Sequence, residues 1–118
     1  MKRALLSIGM VLVTFITFSE AALALGGAII LLRGDANNNN QVNSADATYI
    51  SNYLFNGGPT PPCLDAADVN DDGTVDISDV SYLNSYLFLG GPAPPSPFPS
   101  CGSDPSSDSL GCNSSACN

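Results

Sequence analysis

The most constraining feature of the sequence is the oxygen-bearing side chains that recur at fixed spacing through residues 68–79, which read DVNDDGTVDISD. Asp68, Asn70, Asp72, Asp76 and Asp79 fall at positions 1, 3, 5, 9 and 12 of this stretch, with Gly73 at position 6 and the apolar Val75 at position 8. Position 7, Thr74, adds a backbone carbonyl. A hard cation such as Ca²⁺ prefers many oxygens, and this is the spacing by which one continuous loop wraps a single ion. Glycine at position 6 suits a sharp turn with positive φ. Position 12 carries Asp where Glu is usual, so it reaches the ion with two oxygens when the following helix sits closer.

The pattern occurs once more, 33 residues earlier, in residues 35–46. Asp35, Asn37, Asn39, Asn43 and Asp46 take positions 1, 3, 5, 9 and 12, Gln41 supplies the position 7 carbonyl, and Val42 matches Val75. Asn40 stands in place of the glycine, and Asn tolerates the left-handed conformation better than other side chains. Alone, this Asn-rich run also reads as a low-complexity turn. The register continues beyond the loops, with Tyr49, Ile50, Tyr53, Leu54, Phe55, Gly57, Gly58 and Pro59 matching Tyr82, Leu83, Tyr86, Leu87, Phe88, Gly90, Gly91 and Pro92. The chain therefore reads as a duplicated loop–helix–turn unit. Loop 1 offers Asp35 and Asp46 as carboxylates, and loop 2 offers Asp68, Asp72 and Asp79 with Asp76 acting through water. Loop 2 is expected to bind the ion more tightly.

Residues 1–24 have the form of a secretory signal peptide: Lys2 and Arg3, an apolar run, then small residues at Ala22 and Ala24. A retained anchor is the competing reading, since residues 28–32 are apolar again. Cleavage would leave Arg33 against ten Asp, a net charge of 1 − 10 = −9. Such a surface repels nucleic acid and anionic membranes. Six of the Asp stand at loop ligand positions, so a divalent cation would offset the clustered charge and folding should depend on it. Residues 25–33 read either as a short strand or as a cover over the domain's apolar face.

Helices are expected over residues 44–55 and 77–89. Ala47, Ile50, Tyr53 and Leu54 make one apolar stripe, and Val80, Leu83, Tyr86 and Leu87 the other. Each ends at Gly-Gly-Pro, where glycine takes the left-handed cap and proline stops the helix. The Tyr and Phe positions read as core and rim of a two-helix pack. The proline runs 59–62 and 92–99 read as extended spacers. Cys63, Cys101, Cys112 and Cys117, following a secretory leader, read as two disulfides rather than a zinc site, because the chain has no His. Three pairings exist. The matching places of Cys63 and Cys101 in the duplicated unit favour Cys63–Cys101 with Cys112–Cys117. Asn113 opens a formal glycosylation sequon.

The segments GDANNNNQVNSADATYISNYLF and ADVNDDGTVDISDVSYLNSYLF resemble the paired repeats of type I dockerin domains, over about residues 33–91. The GGPxPPC additions resemble a variant recurrent in bacteria of the planctomycete type. The resemblance implies a small all-α fold: two half EF-hand units, each a Ca²⁺ loop and a helix, the helices antiparallel about a pseudo-two-fold axis, with disulfide support and irregular proline-rich connectors. It implies two Ca²⁺ ions, and docking onto a cohesin-like protein in extracellular assemblies that degrade polysaccharides. Family positions facing the cohesin fall on Ser44, Ala45, Ser51, Asn52 and Asn56, and in the second copy on Ile77, Ser78, Asn84, Ser85 and Leu89. The basic residues common on such helices are absent here. The expected layout is a signal peptide (1–24), an apolar segment (25–33), the dockerin-like domain (34–101, with repeats 34–59 and 67–92) and a Cys-containing polar tail (102–118).

The leading functional reading is a secreted, calcium-binding docking module, free or part of a longer product. The alternative is a calcium-stabilised, self-assembling extracellular or cell-surface subunit. A calcium buffer fits poorly with secretion into a calcium-rich medium. An enzyme is disfavoured, because the Asp residues are already spaced as metal ligands and no His, Lys or Trp remains after residue 24 to build a sugar site.

Overall fold

The computed structural model describes residues 29–106, 108–113 and 117. The expected signal peptide, residues 25–28 and the last two sequon residues, Ser114 and Ser115, lie outside them. The element order is β1 (Ile30–Leu31), α1 (Ser44–Phe55), α2 (Leu64–Ala67), α3 (Ile77–Leu89) and β2 (Gly102–Ser103). Among the described residues no helix is long and apolar enough to cross a membrane.

The two long helices cover the expected residues, and local chemistry explains both starts. Asn43 and Asp76 are extended N-cap residues whose side chains accept the amides of Ala45 and Ser78. Asp46 and Asp79 reach back to the N-cap amides and complete a capping box in each case. The ends use both glycines of each pair. Gly57 and Gly90 take φ of 70° and 72°, where an L side chain is strained. Gly58 and Gly91 donate to the carbonyls of Asn52 and Ser85 at 2.9 Å. A Cβ at Gly91 would come within 3.1 Å of the Ser85 backbone carbon, so the second glycine allows the chain to approach the helix.

Helices α1 and α3 share one core. Ala36, Ala47 and Ile50 from the first half cluster with Val69, Val80 and Leu83 from the second, together with Ala67. Tyr49, Leu54, Tyr82, Tyr86 and Leu87 pack against this cluster. Phe55 and Phe88 are 65% and 67% exposed, so these two positions are neither core nor rim. Each lies five residues beyond the buried Ile50 or Leu83, roughly 140° around a helix of 3.6 residues per turn.

The structure departs from the expected two-helix, all-α layout in two places. A short third helix, α2, follows Cys63, and β1 pairs antiparallel with β2, setting Ile30 opposite Ser103 and Leu31 opposite Gly102. Segment 29–33 is thus both strand and cover, with Leu31 and Leu32 buried. The second proline run is also no free spacer. It turns back over the domain: Tyr82 Oη donates to the Ala93 carbonyl at 2.9 Å, Phe98 meets Tyr86 edge-on at a centroid distance of 5.5 Å, and the Arg33 amide donates to Pro97 at 2.8 Å. In the first run, Pro61 is buried.

This course corrects the expected cysteine pairing. The disulfides are Cys63–Cys112 and Cys101–Cys117. The returning run carries Cys101 to the start of β2, and Cys101 closes on Cys117. The tail then brings Cys112 beside Cys63 through backbone bonds from Leu64 to Gly111 (3.0 Å) and from Asn113 to Pro62 (2.9 Å). Equivalence within the duplicated unit did not govern the pairing, because the two proline runs take different paths.

Arg33, counted from the sequence as the one cation left after cleavage, is fully buried. Its Nη1 donates to the carbonyls of Asp65 and Asp68, each at 3.0 Å, and its Nε to Ser96 at 3.1 Å. Its ion-pair partners are Asp104 (2.8 Å), Asp65 (3.4 Å) and Asp71 (3.6 Å). Arg33→Ala would strand these acceptors, and the expected loss is about 3–5 kcal/mol, read as the shift in denaturation midpoint of the oxidised protein. Gly91→Ala should cost about 1–3 kcal/mol by the same measurement.

Candidate metal centre

The two loops are built by the same hydrogen bonds. At position 1, the Asp35 carboxylate accepts the amides of Asn39 and Asn40 at 3.0 and 2.8 Å, and the Asp68 carboxylate those of Asp72 and Gly73 at 3.1 and 2.8 Å. At position 12, Asp46 accepts from Asn37 and Asn43 at 3.2 and 2.9 Å, and Asp79 from Asn70 and Asp76 at 3.3 and 2.8 Å. At position 5, Asn39 Oδ1 accepts the Gln41 amide and Asp72 Oδ1 the Thr74 amide, both at 3.0 Å. Position 9 supplies the helix caps, Asn43 and Asp76, and the Ser78 hydroxyl also donates to Asp76 Oδ1.

These bonds need left-handed backbone. Asn40 and Gly73 have φ of 67° and 87°, as the spacing predicts for position 6. Asn38 and Asp71, at position 4, also turn left-handed, with φ of 59° and 57°. Asn and Asp at both positions are the available signal, since these side chains visit that region most readily after glycine.

Burial is the main electrostatic fact. Asp35, Asp46, Asp68 and Asp79 are all 0–1% exposed. Burial pushes Asp46 up to about 6, with the Asp35 charge adding and the Asn43 and Asn37 amides opposing. Burial pushes Asp79 up to about 7, and the charges of Asp68 and Asp72 add to it against the Asp76 and Asn70 amides. Asp68 is raised by the same cause, opposed by the Gly73 and Asp72 amides. Groups arranged this way resist ionising alone and favour a cation that neutralises them.

The donor set fits such an ion. Asp68, Asp72 and Asp79 each offer a carboxylate oxygen within 4.8 Å of the others. In loop 1, the buried Oδ1 atoms of Asn37, at position 3, and Asn38, at position 4, have no hydrogen-bond partner, and the Asn37 oxygen is an acceptor left over at a ligand position. Asn70, its counterpart, accepts the Asp72 amide at 3.2 Å and donates to the Ser78 hydroxyl at 3.2 Å. Gln41 and Thr74 are exposed members of their loops. A second acidic group, Asp65, Asp68, Asp71 and Asp108, brings in three residues outside the predicted ligand register. Arg33 already supplies positive charge to Asp65 and Asp71 there.

The expected partner-facing residues all remain accessible. Ser44, Ala45, Asn52, Asn56, Ile77, Ser78 and Leu89 are exposed, and Ser51, Asn84 and Ser85 are half-buried. Of the two large apolar ones, Leu89 is the more open, 79% against 53% for Ile77.

The raised carboxylates predict how metal-free protein responds to pH. Asp46 and Asp79 hold protons more tightly when folded, against an ordinary value of 3.8. Their contribution is fully present below that value and is lost as pH rises through about 6 and about 7. Melting of chelated protein should therefore fall across this window, while calcium affinity rises across it because the ion displaces the protons. Thermal melts in chelator and calcium titrations at about pH 5 and about pH 7.5 check both slopes.

Comparison with known proteins places this geometry. Residues 33–88 match the family model described as the dockerin type I domain. The match starts at the buried Arg33 and runs through both loops to the last turn of α3. No curated protein and no solved structure matches the chain. Residues 33–88 of this chain are thus a type I dockerin domain.

Proposed function

We propose that the chain is a calcium-dependent docking module that binds a cohesin-like protein outside the cell, in an assembly that degrades polysaccharides. The observation that carries this reading is the burial of a carboxylate at positions 1 and 12 of both loops, each already holding its own loop's amides. In this reading residues 34–101 are the domain. Its repeats, 34–59 and 67–92, are two calcium loops with antiparallel helices around a pseudo-two-fold axis, and each loop holds one ion. The ligands are Asp35, Asn37, Asn39, Gln41, Asn43 and Asp46 in loop 1, and Asp68, Asn70, Asp72, Thr74, Asp76 and Asp79 in loop 2. Clustering of equivalent residues, Ala47 with Val80 and Ile50 with Leu83, supports the pairing. The ions act by neutralising buried charge and fixing the start of each helix, so the helix faces are ordered only when the loops are loaded.

Two measurements test the proposal. Calcium titration followed by circular dichroism should show two ions bound and helix gained. Asp68→Ala should abolish the tighter site, and Asp35→Ala the weaker one. Equal damage to the tight site by either variant would refute the ranking of the loops. An immobilised cohesin should retain the protein in calcium and release it in chelator. Leu89→Ala should weaken capture by about tenfold, the cost of one well-placed apolar contact, without altering the calcium isotherm. The exposure of Phe55, Phe88 and Leu89 also suits self-association, the second reading. Sedimentation of the pure protein in calcium separates the two: oligomers favour the subunit, a monomer the docking module.

A further inference from the structure

The two loops differ in how they are held from outside. In loop 1, the carboxylates of Asp35 and Asp46 and the side-chain oxygens of Asn39 and Asn43 accept hydrogen bonds from their own loop. Loop 2 has external ties. Arg33 Nη1 donates to the Asp68 carbonyl at 3.0 Å, and its Nη2 lies 3.6 Å from Asp71 Oδ1. Ser106 Oγ, from the tail, donates to the same Asp71 oxygen at 2.8 Å. Asp108 brings a carboxylate into the group formed with Asp65, Asp68 and Asp71. The duplication makes the asymmetry plain. Arg33 stands two residues ahead of Asp35, and Ala66, its counterpart, two residues ahead of Asp68. Arg33 therefore reaches away from its own loop and grips the other, while Ala66, whose carbonyl accepts the Gly34 amide at 2.8 Å, has only a methyl group and cannot return a charged contact.

The tail is itself anchored on both sides of this grip. Asp104 accepts from Arg33 Nη2 at 2.8 Å and from the Ser106 amide at 3.0 Å, and beyond Asp108 the chain is fixed by the Leu64 bond to Gly111 and by Cys63–Cys112. The disulfide joins the tail to the residue directly before α2, the helix that leads into loop 2.

We propose that Arg33 and the disulfide-pinned tail form a positioning device for loop 2, holding it in its cation-binding shape before the ion arrives. This rests on the calcium reading above. A loop ordered in advance spends less of its binding free energy on ordering. Freeing the tail therefore weakens the ion at loop 2 and leaves loop 1 unchanged. Arg33 and the tail residues act through Asp68 and Asp71 and are not ligands. Because the pin is a disulfide, the affinity of loop 2 also depends on the chain remaining oxidised.

The test uses the full chain and calcium alone. The Asn40 and Gly73 amides, each bonded to the first carboxylate of its loop at 2.8 Å, report the two loops separately by NMR. Cys63→Ser with Cys112→Ser frees the tail without changing any charge. Asp104→Asn keeps the disulfide and breaks the ion pair with Arg33. In both variants the Gly73 midpoint should move to about tenfold higher calcium, the scale of one lost hydrogen bond to a charged group, with the Asn40 midpoint unchanged. Unaltered midpoints in both variants overturn the proposal, and so does an equal shift at both amides, which would mean general loosening. If the parent shows no calcium response at either amide, the calcium reading itself fails, an outcome distinct from a parent that responds and variants that do not differ from it.

Discussion

The fold depends on one cation buried among acids. Arg33 joins the strand before loop 1 to α2, the start of loop 2, the returning proline run and the tail. A buried guanidinium is tolerable only when its donors are used and its charge is matched. Both conditions are met: carbonyls of Asp65, Asp68 and Ser96 take donors, and Asp71 and Asp104 supply charge. Burial pushes Asp65 up to about 7 with Asp104 adding to it, against the pull of Arg33. The same acids that would repel one another without Arg33 hold the tail on the body when it is present.

The core between the helices is thin, and several of its members are alanines: Ala36, Ala47 and Ala67. Small residues let the helices approach closely but bury little apolar area. A domain of this size rarely holds itself together on such a core alone. Two disulfides, the Arg33 network and the carboxylate–amide bonds within the two loops add to it. The loop carboxylates have two tasks. They satisfy amides that would otherwise be orphaned inside a tight turn, and they converge where an ion can neutralise them. Amide bonds alone do not offset the burial of Asp46, Asp68 and Asp79, whose protons are held more tightly than usual. That residual cost is what a bound cation would relieve, as in the proposed calcium sites.

Much of the fold is legible in the sequence because it is built from short-range rules. Caps at Asn43 and Asp76, left-handed turns at Gly57 and Gly90, and helix spans set by apolar spacing each involve residues within one or two turns of one another. The second glycine of each pair was visible as a letter but not as a requirement, since it answers to a helix carbonyl six residues back. Phe55 and Phe88 depart from the expectation because an aromatic residue in an apolar run reads as packed. Their angular place on the helix decides otherwise.

The amino-acid sequence by itself determined the spacing of oxygen-bearing side chains in the two loops, the extents of α1 and α3 and the family of residues 33–88. All of these follow from residue types at fixed local spacing, where the backbone has few alternatives. Only the tertiary structure decided that Arg33 is buried, that the proline run turns back, and that Cys63 takes Cys112 rather than Cys101. Each of these joins residues far apart in the chain, as in the bonds from Arg33 to Ser96 and Asp104, 63 and 71 residues away. No local pattern encodes such a meeting. It is set by how the long helices place their ends, and by the need to bring acids to the single cation they enclose.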